Sequence, residues 1–292
     1  MIQTQDFTKG VIWKQLLFFF FPILIGSFFQ QLYNTVDTII VGQAVGTSAL
    51  AAVGSTGNLT NLIVNFYVGL STGASVVIAQ YYGAQNNKKI HQAVHTSYIL
   101  AIVSGILMML FGLFFSYQCL DAIGTPHDIL NDATLYMQLY FLCMIPGAIY
   151  NIGAGILRAV GDSKRPLYYL IVCSIVNVVF DFIFVVIFHQ GIAGAAIATV
   201  IAQSVCAILV TIQLMRTNEV YKLTLSKMKF HLPVLKKIIM IGAPAGIQST
   251  MYSISNIVLQ SHINAFGTQT IASWSVYVKI DALFWMMIAA IG

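Results

Sequence analysis

Residues 99–115 read ILAIVSGILMMLFGLFF, from Ile99 to Phe115 without one charged side chain. Extended outward, the stretch free of Asp, Glu, Lys and Arg covers 92–117, enough as a helix to cross a hydrocarbon core of about 30 Å. It is continuously apolar and does not alternate in short pieces, so a helix is expected and a membrane strand is not. Comparable runs lie near 15–41, 53–82, 131–157, 166–188, 192–215, 237–262 and 270–292. The 292-residue chain as a whole agrees, being 58% hydrophobic and 8% charged, with a mean hydropathy of +0.84. Soluble domains are nearer about 45–50% apolar and about 25% charged. These values exclude a nucleic-acid-binding module, a disordered chain and a secreted disulfide scaffold. The expected fold class is an all-α polytopic membrane protein.

The cations set the orientation. Lys9 and Lys14 precede the first run, Lys88 and Lys89 follow the second, and Arg158, Lys164 and Arg165 follow the fourth. Arg216, Lys222, Lys227, Lys229, Lys236 and Lys237 follow the sixth. The joins near 42–52, 118–130, 189–191 and 263–269 contain no Lys or Arg. By the positive-inside rule the N-terminus is cytoplasmic, in a cell membrane, the bacterial cytoplasmic membrane being expected. Lys14 ahead of Phe18–Phe21 resembles a signal-peptide start, but the apolar run outlasts a normal h-region and no small-x-small site closes it. An uncleaved first helix is expected.

The longest polar stretch, 216–236, follows six runs, and the chain then starts again. Pro244 matches Pro22 after a Lys-bearing approach, and Gly46-Thr47-x-x-Leu50-Ala51 is echoed by Gly267-Thr268-x-x-Ile271-Ala272. This pattern predicts a parallel repeat. A six-helix lobe would span 1–215, a cytoplasmic linker 216–236, and the first two helices of a second lobe 237–292. On that reading the chain is a piece of a protein of about twelve helices.

Three stretches resemble the multidrug and toxic compound extrusion (MATE) family of secondary transporters. They are Val36-Asp37-Thr38-Ile39-Ile40-Val41-Gly42 with Ala49-Leu50-Ala51-Ala52-Val53-Gly54, then Gln80-Tyr81-Tyr82-Gly83-Ala84-Gln85, and finally residues 155–166, GILRAVGDSKRP. The match runs through essentially the whole chain, in order and on the expected membrane sides. The resemblance implies two six-helix lobes facing a central cavity. It also implies export of amphipathic, often cationic compounds in exchange for H⁺ or Na⁺. No cofactor beyond that coupling ion is expected, and no catalytic residue. The expected partners are small amphipathic cargo and the lipid bilayer, with no nucleic acid, and the protein is expected to be a monomer.

Most acids fall in joins, but Asp37, Asp181 and Asp281 fall within apolar runs. A carboxylate there costs about 2.5–3.5 kcal/mol even on the lenient insertion scale, so functional use is the default reading. Asn177, four residues before Asp181, shares its helical face. A carboxylate beside an amide carbonyl suits a small hard cation or a protonated acid. The plainer alternative has Asn177 bonding a neighbouring helix. By resemblance, Asp37 and Asp181 match the acids of the family's N-lobe cation site, Asn177 its amide, Thr199 its hydroxyl, and Tyr136 a nearby tyrosine. Asp37, Asn177 and Asp181 would hold Na⁺ if Na⁺ is the coupling ion, and no other metal site is expected. For Asp37, near the outer end of its helix, a half-solvated interfacial acid is the alternative. Pro22 lies fifteen residues before it, about 22 Å along a helix, and permits a kink. The family implies that this helix bends on protonation; a static kink is the other reading.

Gln30, Gln31, Tyr33 and Asn34 on the first helix, with Asn58, Asn61 and Asn65 on the second, are cavity candidates. The last three follow i, i+3, i+7 spacing and line one stripe. Lys279, in the eighth run, either lines the cavity or snorkels to the interface. The seventh run carries no Asp or Glu, so family branches that use an acid there lend it no mechanism. His91 and His95 have metal-like i, i+4 spacing but no third ligand, so a surface pair is expected. Two other functions fit parts of this pattern. A lipid-linked saccharide flippase of the same superfamily needs cations in its cavity for pyrophosphate, and the six N-lobe runs offer only Arg158, at a cytoplasmic end. An intramembrane aspartyl protease would use Asp37 and Asp181, but its Gly-x-Gly-Asp motif is missing, since Ala159-Val160-Gly161-Asp162 begins with Ala.

Overall fold

The computed structural model describes residues 12–264 except 46, 123, 124 and 126, together with the isolated positions 281 and 288. All regular structure among the described residues is helical: α1 (Ile12–Ala44), α2 (Thr47–Gly83), α3 (Asn87–Ala122), α4 (His127–Phe141), α5 (Met144–Ala159), α6 (Lys164–Asp181), α7 (Gly191–Arg216) and α8 (Leu232–Asn264). The chain crosses the membrane repeatedly. Five of these helices are long and apolar enough to span, or six when the bent pair α4–α5 counts as one. Two expected spans come out differently. The run at 131–157 is not one helix but two, bent by 45° between Phe141 and Met144. The seventh run is α8, which has the length but carries Gln248, Ser249, Thr250, Ser253 and Ser255 and is not among the helices apolar enough to qualify. The eighth, at 270–292, lies outside the described residues apart from Asp281 and Ile288.

The ends of these elements follow from local chemistry. α5 stops in a Schellman motif: the Asp162 amide donates to the Leu157 carbonyl and the Gly161 amide to that of Arg158. Gly161 sits at φ +87°, where a side chain would be strained. Asp162 then starts α6, accepting from the Arg165 amide at 3.1 Å and pairing with its guanidinium at 2.9 Å. Directly after Asp181, α6 passes into a turn of π-helix, Phe182–Ile187. Such turns concentrate at functional sites.

At the basic end of the bundle the segment 217–231 folds back over the start of α3. Tyr221 and Leu223 are buried, and burial pushes the Tyr221 phenol above its ordinary range. His95, expected as part of a surface pair, is buried at 1% exposure. Its Nδ1 donates to the His91 carbonyl at 2.7 Å, which leaves Nε2 to accept from the Thr224 amide at 3.0 Å. The His91–His95 spacing therefore serves the polar segment that covers it. Lys89 and Lys237 each lie 5.5 Å from the Tyr81 ring, tying α8 to the ends of α2 and α3.

α8 packs chiefly on α2. Gly69 and Gly73 of α2 meet Gly246 and Gly242 of α8 in antiparallel order. A Cβ on Gly73 would stand 2.5 Å from the Gly242 backbone, and one on Gly69 would collide with that of Gly246. Small residues at i, i+4 on both helices let the backbones touch. Farther along, Asn65 Nδ2 donates to Ser253 Oγ at 3.0 Å. In the full-length protein with its native cysteines replaced, Cys at positions 65 and 253 should cross-link readily. Adding Gly73→Leu should abolish the cross-link and cost about 1–3 kcal/mol of stability through overpacking. Unchanged cross-linking would show that the glycine contact does not hold α8 in place.

Candidate functional site

A cavity of about 500 Å³ lies between α1, α2, α4, α5, α6 and α7. On α1 its wall is a single face, Pro22, Gly26, Gln30 and Asp37; on α5 it runs from Cys143 and Gly147 through Asn151 to Arg158. From Cys143, the residue just before α5, to Arg158 is fifteen residues, so the cavity extends about 22 Å along α5. Asp37, Tyr136 and Tyr140 stand at one end, Arg158, Ser163 and Pro166 at the other.

Two carboxyls meet at the first end. Asp37, from α1, is half-buried and faces the cavity, with its Oδ1 buried. Asp181, where α6 turns π-helical, lies just behind the wall at 0% exposure, with Asn177 at 1%. The Asp37 and Asp181 carboxyls are close enough to interact. Thr199 of α7 lines the cavity, and its hydroxyl accepts a long 3.4 Å bond from Asn177 Nδ2 while donating to the Ala195 carbonyl at 3.0 Å. Tyr136 is buried beside both acids and stacks on Tyr140 with ring centroids 6.1 Å apart.

The hydrogen-bond inventory of this cluster is lopsided. Asp37 Oδ1, Asn177 Oδ1 and both Asp181 oxygens are buried and receive no hydrogen bond from an N–H or O–H of the described residues, the two carboxyls approaching each other. All four are acceptors, and buried polar atoms are normally paired. A group that supplies positive charge would satisfy them. A proton turns one carboxyl into a donor, and a small hard cation takes oxygen ligands of this kind. Asp37, Asp181, Asn177 and Thr199 would be the residues to hold it.

The other candidates divide. Gln30 and Asn61 line the cavity. Gln31 is exposed and is not on its wall. Asn65 is a correction: it faces α8 and bonds Ser253, because the α2 stripe turns from the cavity to the helix crossing within one turn. The side chains of Tyr33, Asn34 and Asn58, and all of Lys279, lie outside the described residues. Pro22 lines the cavity within an α1 that continues through it. Arg158 lies in the last turn of α5, at a helix end as expected, and also lines the cavity wall. Sequence reasoning missed Tyr140, Asn151 and Gln203. The signal was present: each lies four residues beyond another lining residue, Tyr136, Gly147 and Thr199 respectively.

The MatE family profile matches residues 22–183, more than half of the chain. The chain belongs to the MatE family. Among curated MATE-type relatives it is 28% identical over 298 residues to the "Probable multidrug resistance protein YoeA" of Bacillus subtilis (strain 168), covering 99% of this chain and 64% of that protein. To the "Probable multidrug resistance protein YpnP" of the same organism it is 26% identical, covering 100% and 65%. Among solved structures, a MATE in the bent conformation superposes with a TM-score of 0.88 at 27% identity, over 95% of this chain and 62% of that one. A multidrug resistance MATE family transporter of the MOP superfamily, in an outward-facing conformation, also gives 0.88, at 26% identity over 95% and 62%. The chain thus spans just under two thirds of the length of the curated relatives it matches.

Because no donor compensates Asp181 among the described residues, replacing its charge should not weaken the fold. Thermal unfolding of full-length Asp181→Asn in Na⁺-free buffer at neutral pH is expected to match the parent or exceed it by about 1–3 kcal/mol, the usual penalty of an unsatisfied buried group. A fall of several degrees in Tm would mean that the carboxyl is already paired.

Proposed function

We propose that the complete protein is an H⁺- or Na⁺-coupled antiporter that exports amphipathic, often cationic organic compounds by alternating access. Two lobes, 1–215 and a second beginning at 237, would be joined by a cytoplasmic linker, with the N-terminus cytoplasmic. The observation that carries this reading is the set of four unpartnered acceptor oxygens on Asp37, Asn177 and Asp181, beside a drug-sized cavity. The relatives' names, as multidrug resistance proteins, support the export half. Ion binding at the pair neutralises buried charge, and release restores it. Since α1 brings one acid and α6 the other, the ion's presence changes how strongly these helices attract or repel. Driving force is ample: one inward elementary charge supplies about 2.3 kcal/mol per 100 mV, and each pH unit about 1.4 kcal/mol. A transporter family assigns the chain no catalysis, and the protease reading gains no support.

The flippase reading has one observation in its favour, Arg158 on the cavity wall. It is the only Lys or Arg among the described lining residues, which is sparse for a pyrophosphate carrier. Export is tested in proteoliposomes of the full-length protein, with H⁺ and Na⁺ gradients imposed separately and cationic dye efflux followed. The parent should respond to one gradient, and Asp181→Asn should lose at least about nine tenths of the gradient-driven component. Undiminished coupled efflux in that variant would refute the assigned role.

A further inference from the structure

Two cysteines take no part in the site described above, and they meet across a helix pair. Cys173 of α6 and Cys206 of α7 are both buried and form one small cluster with Ala202. Their thiols are close enough to interact. The antiparallel register brings them together. Asn177 of α6 bonds Thr199 of α7, and eight residues back on α6 the Tyr169 carbonyl accepts from the Cys206 thiol at 3.2 Å. Cys173 stands midway between Tyr169 and Asn177, so all three share one face of α6. A buried cysteine commonly serves as a small apolar filler. That accounts for either residue alone, but not for two thiols from different helices set against each other.

What such a pair can bind follows from how few ligands it offers. Among the described residues no group of three His, Cys, Asp or Glu side chains could hold a metal ion, so these thiols do not belong to a four-coordinate zinc site. Two thiols alone suit soft ions that accept two sulfur ligands in line. Burial then selects the charge. A divalent ion that displaces both thiol protons leaves a neutral complex, whereas a monovalent ion bound to two thiolates leaves a negative charge in an apolar setting. The route in is the cavity. Leu170 and Gln203, each three residues before one of the cysteines, line it, as does Tyr150, which packs against the pair. The thiols therefore lie one side chain behind the wall.

We propose that Cys173 and Cys206 form a buried two-coordinate site for a divalent thiophilic metal ion of the mercury(II) type. Both S–H bonds break, two metal–sulfur bonds form, and two protons leave to solvent, with no change of oxidation state. Metal–thiolate bonds of about 2.3 Å, the length found with zinc, reach across thiols in contact range. The bridge would pin α6 to α7 one turn from Asn177 and two turns from Thr199. Its occupation would brace two of the helices that carry the acceptor cluster. The site stands on the placement of the thiols and does not rest on the transport reading.

The test uses the full-length protein in detergent, with every cysteine except these two replaced by alanine, and mercuric chloride as the probe. One ion per chain should bind and release two protons into weakly buffered solution, and thermal unfolding should shift upward. Glutathione, a monothiol, should strip the ion from Cys173→Ala or Cys206→Ala at a concentration at least about a hundredfold lower than from the two-cysteine protein, because the second sulfur binds intramolecularly. Two ions per chain, one proton per ion, an unfolding temperature that does not rise, or equal stripping of the two-cysteine protein and the single variants would overturn the site. Should an alanine variant fail to fold, X-ray absorption at the mercury edge of the two-cysteine protein decides. Two equivalent sulfur neighbours are expected, and one sulfur with a chloride or oxygen overturns the proposal. No ion gradient is involved, so a failure of coupled export would sink the transport reading without touching this one.

Discussion

Four buried oxygen atoms that accept hydrogen bonds and receive none from the described residues govern this structure. In water such atoms cost nothing, but buried in a bundle of apolar helices they leave a standing demand for positive charge. The demand is made jointly by α1, which brings Asp37, and α6, which brings Asp181 and Asn177, with Thr199 of α7 closing the set. Any cation or proton that meets it must act between these helices. That is why a local binding event has a route to a change of shape, and why the cluster stands out from a merely structural polar contact.

The rest of the fold keeps this demand from being met cheaply. The bend between α4 and α5 brings Tyr136 and Tyr140 against the acids, and the rings exclude water while offering no charge. The π-helical turn after Asp181 interrupts α6 where the carboxyl projects. On the opposite side, glycines let α2 and α8 touch backbone to backbone. Gly73 lies ten residues before the end of α2 and Gly242 ten after the start of α8, so the crossing sits about 15 Å from the basic end. A packed crossing of this kind favours discrete arrangements over gradual deformation, as the proposed alternating access would require.

The all-helical fold, the order of most helices and the basic end were legible because hydrophobic length and Lys/Arg placement are direct consequences of the bilayer. Asp181 and Asn177 were legible for a related reason, since polar side chains at helical spacing inside an apolar run are costly. Three features were not. The break at 142–143 has its cause four residues on, where Pro146 cannot donate to the Leu142 carbonyl and its ring crowds it, but a proline inside an apolar run reads equally as a tolerated kink. Asn65 belongs to the same stripe as Asn61, and a stripe drawn on one helix cannot show that a second helix covers part of it. His95 looked like half of an exposed pair because the polar segment that buries it comes more than a hundred residues later. The glycine spacing on α2 and α8 was readable and, taken together, would have predicted their crossing.

The central claim is that the buried acids exchange a positive ion. Infrared difference spectroscopy on the full-length protein in membranes reads this without any transport assay. Stepping the pH, or adding Na⁺, should change a carboxyl stretching band that shifts in heavy water, and the band should be lost or displaced in Asp37→Asn and Asp181→Asn. A difference spectrum without a carboxyl band, or one identical in parent and both variants, would contradict the account.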